Sequence, residues 1–326
     1  MPLDVYIALW HMNTRAGDQL TWNQKAVNLG AQIDLAETHF TTLGAGNGAF
    51  KLFVAPEYYF ADFSTGQDLI RGYDVTDQQA VLGQLRGLSR DHPNMLLLGG
   101  TIAWKTQLRR GERDQINQQV KAAQAQVVQM WPPTAALPQQ QYTAWHNEAE
   151  QARQNIRLKG SNIKGKLSGQ PKLRWFGYNA AFACFNGNVL GEIRKSTNAQ
   201  EFSGENAADN VVMIPGTSAG AFSVPGFKGL DGTTDLNVGV EICGDHGRIG
   251  QFKEKVDIHV LLAASQAPGA TYAETGGIFI HCDSYRAPQV ARSAAAVGFQ
   301  ERKKITDAPN TVTDAAHSLY VQKVTL

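Results

Sequence analysis

Apolar and polar positions change period several times along the chain, and each change marks an element. Residues 4–10 alternate as a strand does, and from 21 to about 43 the apolar residues Ala26, Leu29, Ile33, Leu35 and Ala36 fall at helical spacing. The LGAGNGAF that follows is a turn, since its glycines follow a helix and lead into a strand, the reverse of a dinucleotide-binding loop. Residues 51–55 form a second strand, ended by Pro56-Glu57. Thr76 with Gln79 has the wording of a capping box, and Ala80, Val81, Leu82, Leu85 and Leu88 supply the buried stripe of a helix that stops before Pro93. MLLLGGTIAW, residues 95–104, is a third, buried strand. Strand and helix alternating at this spacing predict an α/β layered fold.

Residues 106–173 break the rhythm. Ile116, Val120, Ala123, Val127 and Met130 share one helical face, Trp145, Ala149, Ala152 and Ile156 share another, and WPPTAALP separates them, which predicts a helical hairpin followed by a basic, glycine-punctuated loop. Strands resume at WFGYNAAFACF, turn at Asn186-Gly187 and return as NVLGEIRK. Asn-Gly between two such runs is a hairpin signal, because a type I′ turn needs positive φ at both central residues. A polar, glycine-rich loop, a strand at 237–242, a short helix near 248–256, the strands IHVLLAAS and GIFIHCD, and an alternating strand at 319–326 complete the chain.

Composition narrows the setting. With 326 residues, 43% of them hydrophobic, the chain can build the core of one large domain or two small ones. Charged residues are 18% and the formal net charge is +1, so overall electrostatics recruits neither nucleic acid nor a membrane surface. The start MPLDVYIALWHMN lacks the basic residues and long apolar run of a signal peptide, and no run approaches the roughly 20 apolar residues that span a bilayer. The expectation is a cytoplasmic protein whose partner is a small-molecule substrate. Cys184, Cys243 and Cys282 show no CxxC spacing, which argues against a disulfide scaffold or a cysteine zinc site.

The stretch NVGVEICGDH, residues 237–246, carries the chemistry. Val238, Val240 and Ile242 share one face of a strand that runs into Cys243 and breaks at Gly244, placing a thiol at the end of a buried strand. A nucleophilic cysteine needs a nearby base or positive charge, and FVAPEYYF with Glu57 and GEIRKSTNAQEF with Lys195 can supply them, each after an apolar strand. Singly, these residues read as a surface carboxylate, a solvated lysine and a small buried hydrophobe. Together they read as a cysteine hydrolase. His246 and His281 are alternative partners for the thiol, but His246 is only three residues beyond it and nothing in the sequence places His281 near it. His281, Cys282 and Asp283 include metal-ligand types, but neighbours on a strand face opposite sides.

The order Glu57, Lys195, Cys243, with PE after an apolar run, RK after a hairpin, CxD after a strand and VDIHVLLAAS downstream, resembles the nitrilase superfamily of carbon–nitrogen hydrolases over most of the chain except 106–173. The resemblance implies a four-layer α-β-β-α sandwich, one carbon–nitrogen hydrolase domain over 1–326 with a helical hairpin insertion at about 106–173. It implies hydrolysis of a small amide or carbamoyl compound through a cysteine acyl-enzyme, with no cofactor and no metal, in a homodimer or larger homo-oligomer. Nitrile hydrolysis, or a catalytically silent member that only binds, are the alternatives. By the same resemblance Cys243 is the nucleophile and Glu57 the general base. Lys195 and the backbone N–H of Gly244 stabilise the oxyanion, and a second glutamate is Glu201, with Glu205 as the other candidate. The chain departs from the usual wording at Gly244, where a bulky aromatic is commoner.

Overall fold

Val5, Ile7 and Leu9 enter one apolar cluster while Tyr6, Ala8 and Trp10 enter another, so the first strand is buried on both faces and its sequence reads as a nearly continuous apolar run. In the computed structural model the described residues are 2–14, 20–63, 70–107, 118, 122, 125, 175–196, 211–213, 216, 220–246, 255–269, 271–294, 301–304, 310–313 and 318–326. The elements, in order, are β1 (Asp4–His11), α1 (Trp22–Thr42), β2 (Phe50–Ala55), α2 (Val75–Asp91), β3 (Met95–Gln107), β4 (Trp175–Phe185), β5 (Asn188–Arg194), β6 (Val211–Met213), β7 (Ala221–Lys228), β8 (Asp235–Ile242), a 3₁₀ turn (Cys243–Asp245), β9 (Val256–Ala263), β10 (Ala273–Asp283), β11 (Gln289–Ala294), β12 (Glu301–Lys304), β13 (Asn310–Thr313) and β14 (Ser318–Thr325).

Two mixed sheets result. The first runs β13-β14-β1-β2-β3-β4-β5, with β6 beside β4; β1, β2 and β3 are parallel and their neighbours antiparallel. The second runs β12-β11-β10-β9-β8-β7, with a parallel β8-β9-β10 centre. Between them lies a core that includes Ile7, Leu52, Val54, Leu98, Val240, Ile258, Val260 and Ile280. On the other face of the first sheet, Leu29, Ile33, Ala36 and Phe40 of α1 and Val81 and Leu85 of α2 cover Ala8, Phe53 and Leu97. Burial at about 25 cal/mol per Å² of apolar surface makes these two interfaces the main source of stability.

This architecture corrects the expected four-layer α-β-β-α sandwich. Among the described residues there are two α-helices, and both pack on the first sheet. The strand-helix rhythm that suggested helical layers holds only from β1 to β3. Beyond it, among the described residues, strand follows strand, with the Asn186-Gly187 turn between β4 and β5, and β-structure dominates. Leu261, Ala263, Phe279 and Ala291 of the second sheet form a separate buried apolar cluster. The strands β7, β11, β12 and β13 had no sequence signal, because AFSVPGFK, QVARSA, ERKK and NTVT are interrupted by Pro and Gly, charged, or polar. Of the excursion at 106–173, Thr106 and Gln107 end β3, Gln118, Ala122 and Ala125 are helical, and the rest of the predicted helical hairpin lies outside the described residues, as does most of the helix expected at 248–256.

Local chemistry explains the element ends. Thr21 and Gln24 form a reciprocal capping box at α1. At α2 the expected Thr76–Gln79 box is replaced by Asp74, whose carboxylate accepts from the Asp77 N–H at 2.8 Å, so the helix begins two residues earlier. Asn186 and Gly187 have φ of 48° and 79°, as the hairpin turn requires. Among the described residues no helix is long and apolar enough to cross a membrane.

Candidate functional site

Glu57, Lys195 and Cys243 stand just beyond the C-terminal ends of β2, β5 and β8, and the fold brings all three together. Pro56 ends β2, and the following turn lies on β3 at a bulge where the β3–β4 register shifts between Leu98 and Thr101. Gly100 makes this approach possible: its φ is +81°, and a Cβ there would sit 2.5 Å from the Pro56 carbonyl oxygen and 2.7 Å from the Tyr59 Cβ. The neighbouring Thr101 hydroxyl then accepts from the Tyr58 N–H at 2.9 Å, while Thr14 donates to the Glu57 carbonyl at 2.9 Å.

Lys195 reaches the site because its own backbone is clamped. Its N–H donates to the Asn179 carbonyl at 2.8 Å, and its carbonyl accepts from the Gly216 N–H at 2.9 Å. Its Nζ donates to Glu57 Oε1 at 2.7 Å and to the Tyr58 hydroxyl at 3.2 Å. The Asn179 amide donates to the same carboxylate oxygen at 3.1 Å. Glu57 and Lys195 are both almost wholly buried. A buried ion pair of this kind costs desolvation that its Coulomb attraction only partly offsets, so it is a poor device for stability and is retained for what it does.

Cys243 opens a single 3₁₀ turn and has φ 45°. Its S–H donates to the Ala264 carbonyl at 3.8 Å, across from the end of β9. Burial first, and then the Glu57 carboxylate beside it, push the thiol pKa up to about 12 against the opposing effect of Lys195. At neutral pH it is therefore a neutral thiol next to a carboxylate able to take its proton. Gly244 is the next residue of the turn, where an N–H has no partner within the turn, and the bond that closes the turn runs from the His246 N–H to the Cys243 carbonyl. Two residues past the cysteine, Asp245 accepts from the Ser196 N–H at 2.7 Å and from its hydroxyl at 2.8 Å, tying the lysine's neighbour to the nucleophile turn.

Strain is concentrated here. Of the five non-glycine residues with positive φ among those described, Tyr58 follows the candidate base Glu57, Cys243 is the candidate nucleophile and Ser265 follows the carbonyl that accepts its S–H. The other two, Asn94 and Asn186, are of a type that adopts this region readily. Each such conformation at a larger side chain costs on the order of 1–3 kcal/mol and persists only where the surroundings impose it.

The alternative partners of Cys243 are occupied elsewhere. His246 Nδ1 lies 2.5 Å from Glu241 Oε2, and its Nε2 accepts from the Gly269 N–H at 2.7 Å. His281 Nε2 is held by the Gln266 carbonyl at 3.1 Å and lies 3.4 Å from Asp283, while Cys282 points the opposite way, its S–H toward the Trp10 and Val54 carbonyls in the inter-sheet core. Glu201 and Glu205 lie outside the described residues. Sequence reasoning did not single out Tyr58, Asn179, Thr14, Ser196 or Ser284. Only Asn179, a lone amide inside the apolar FGYNAAF, carried a signal.

Glu241, His246 and His259 converge as a possible ligand set, with His259 Nε2 at 3.0 Å from Glu241 Oε2. Their second partners decide against a metal centre. A ligating imidazole donates its other N–H to an acceptor, whereas here the outer nitrogens of His246 and His259 are themselves met by the Gly269 and Tyr272 N–H groups at 2.7 and 3.2 Å. Those contacts make the outer nitrogens acceptors and leave the inner ones protonated, both donating to one carboxylate oxygen.

Burial pushes the His259 pKa below its ordinary 6.5, with Glu241 opposing. Burial raises Glu241, but the hydrogen bonds from His246 and His259 outweigh it and hold the carboxyl below its ordinary 4.5. Both folded values lie under the unfolded ones, so the stability from these groups is complete above about pH 6.5 and is lost as pH falls, first through the histidine and then through the carboxylate. The urea midpoint of the wild type should decline below about pH 6.5, and His259→Gln should flatten that decline by up to about 1.4 kcal/mol per pH unit. Parallel curves for the two proteins from about pH 7 to pH 5 would contradict this assignment.

Comparison of the sequence with protein-family models and with curated protein sequences gives no match.

Proposed function

We propose that the protein is a cysteine hydrolase of a non-peptide carbon–nitrogen bond in a small amide or carbamoyl compound, with the Glu57-Lys195-Cys243 arrangement of the nitrilase superfamily that its sequence resembles. The observation that carries this reading is the convergence, at three strand ends, of a strained thiol, a carboxylate beside it and a lysine 2.7 Å from that carboxylate.

Each group has a task. Glu57 removes the Cys243 proton as sulfur attacks the carbonyl carbon, and the carbonyl π electrons move to oxygen. The oxyanion is met by the Lys195 ammonium and the Gly244 N–H. Collapse breaks the C–N bond, the leaving nitrogen takes the proton from Glu57, and a thioester remains on Cys243. Glu57 then deprotonates a water that attacks the thioester, and the second collapse breaks the C–S bond, releases the acid and returns the Glu57 proton to sulfur. Starting from a neutral thiol suits this sequence, because proton transfer and attack are coupled and no thiolate need be held in a buried, carboxylate-bearing site. Glu201 or Glu205 would orient the lysine or substrate. The resemblance also implies a homodimer or larger homo-oligomer.

Ammonia or amine release from a panel of amides, carbamoyl compounds and nitriles tests the reading. Turnover of a member of the first two classes is expected. Turnover of nitriles alone would shift the assignment to nitrile hydrolysis, and release from none of them would point to a member that binds without reacting.

A further inference from the structure

The carboxylate of Glu241 is buried on the outward face of β8, two residues before the thiol, and the described mechanism does not use it. It accepts from rings on two different segments: His246, which ends the nucleophile turn, and His259 in the middle of β9. Each ring is gripped from behind. The Gly269 N–H donates to His246, and the Tyr272 N–H donates to His259, whose Nδ1 also lies 3.0 Å from the Thr271 hydroxyl. The Phe279 ring lies against both imidazoles, at 5.9 and 5.1 Å.

The geometry points to a latch: Glu241, with His246 and His259, is a set of positioning residues that pins the far end of the 243–246 turn to the β8–β9 pair and so holds Cys243 in its positive-φ conformation. Its meaning for catalysis rests on the hydrolase reading, but the latch itself is a statement about the thiol. A positive φ at cysteine is unfavourable in isolation and must be imposed from both sides. On one side β8 fixes the chain through Ile242. On the other, two constraints act, the Asp245–Ser196 clamp and the His246–Glu241 bond. Removing the second lets the turn relax toward an ordinary φ, which brings the thiol out of its contact with the Ala264 carbonyl.

Alkylation of Cys243 by iodoacetamide, followed by peptide mass spectrometry on the folded full-length chain, reads this without any substrate. Glu241→Ala should raise the Cys243 rate at about pH 9 by at least about tenfold and move the midpoint of its pH profile down toward that of an ordinary thiol. Glu241→Gln, whose amide oxygen still accepts both ring N–H groups, should stay within about threefold of the wild type. Should Glu241→Ala fail to fold, His246→Ala, which leaves the Glu241–His259 pair intact, should show the same acceleration. Cys184 and Cys282, both buried, serve as internal controls that report general loosening. Faster alkylation confined to Cys243 supports the latch whether or not any amide is turned over. Folded Ala variants with the wild-type rate and pH profile, or equal acceleration at all three cysteines, would overturn it.

Discussion

Cys243→Ala is expected to reduce turnover about a millionfold, to background, because the variant lacks the atom that forms the acyl bond and the remaining groups stabilise a step that no longer occurs. Cys184→Ala and Cys282→Ala should keep turnover within a few-fold of the wild type. Both thiols are packed in apolar core, Cys184 between the first sheet and its helices and Cys282 between the two sheets; burial raises Cys184 to about 12, and burial with the nearby Asp283 raises Cys282 well above its ordinary value. Their replacement removes core volume and should cost roughly 1–2 kcal/mol of stability instead. Steady-state rates and urea midpoints of the three variants separate the two kinds of effect. Near wild-type turnover in Cys243→Ala would remove the proposed mechanism.

Glu57→Gln and Lys195→Ala should each abolish most activity, but with different stability signatures. Glu57→Gln keeps the side-chain shape and loses the base, so the rate should fall about 10²- to 10⁴-fold. Lys195→Ala removes an oxyanion donor, worth about 10²- to 10³-fold, and also strands a buried carboxylate, which should destabilise the fold by about 3–5 kcal/mol. Replacing the pair together, as Glu57→Gln with Lys195→Met, should recover most of that stability while remaining inactive, since a buried ion pair rarely stabilises more than neutral groups of the same volume. Recovery of activity along with stability in the double variant, or full activity in Lys195→Ala, would show that the pair is structural.

Much of the candidate site was legible in the sequence because strand ends are. An apolar run that stops at Pro56 or Gly244 announces both a buried strand and the end where a polar side chain can act, and the Asn186-Gly187 turn returns β5 so that Lys195 follows its last residue. The outer layers were not legible. Buried strands and buried helices both read as apolar stretches, so the rhythm that is real through β1–α1–β2–α2–β3 was extended, by resemblance, into helical layers that the described second sheet does not carry. The clamps were hidden for another reason. Asp245 meets Ser196 across 49 positions and Thr14 meets Ser284 across 270, and nothing in local spacing reports such distant pairs. Glu241 looked like one more strand residue, although a carboxylate wedged between Val240 and Ile242 in an otherwise apolar run was a sign that something buried had to satisfy it.

In the proposed mechanism Cys243 carries the acyl group between the two halves of the reaction. Quenching the enzyme in acid during turnover of the best substrate in the panel, then mapping mass shifts by peptide, tests it most directly. An addition equal to the acyl part of the substrate is expected on the peptide containing Cys243, accumulating further in Glu57→Gln if that variant is loaded with an activated ester that needs no proton on its leaving group. Sustained turnover with no acyl group on Cys243 at any quench time, or the adduct on another residue, would contradict it.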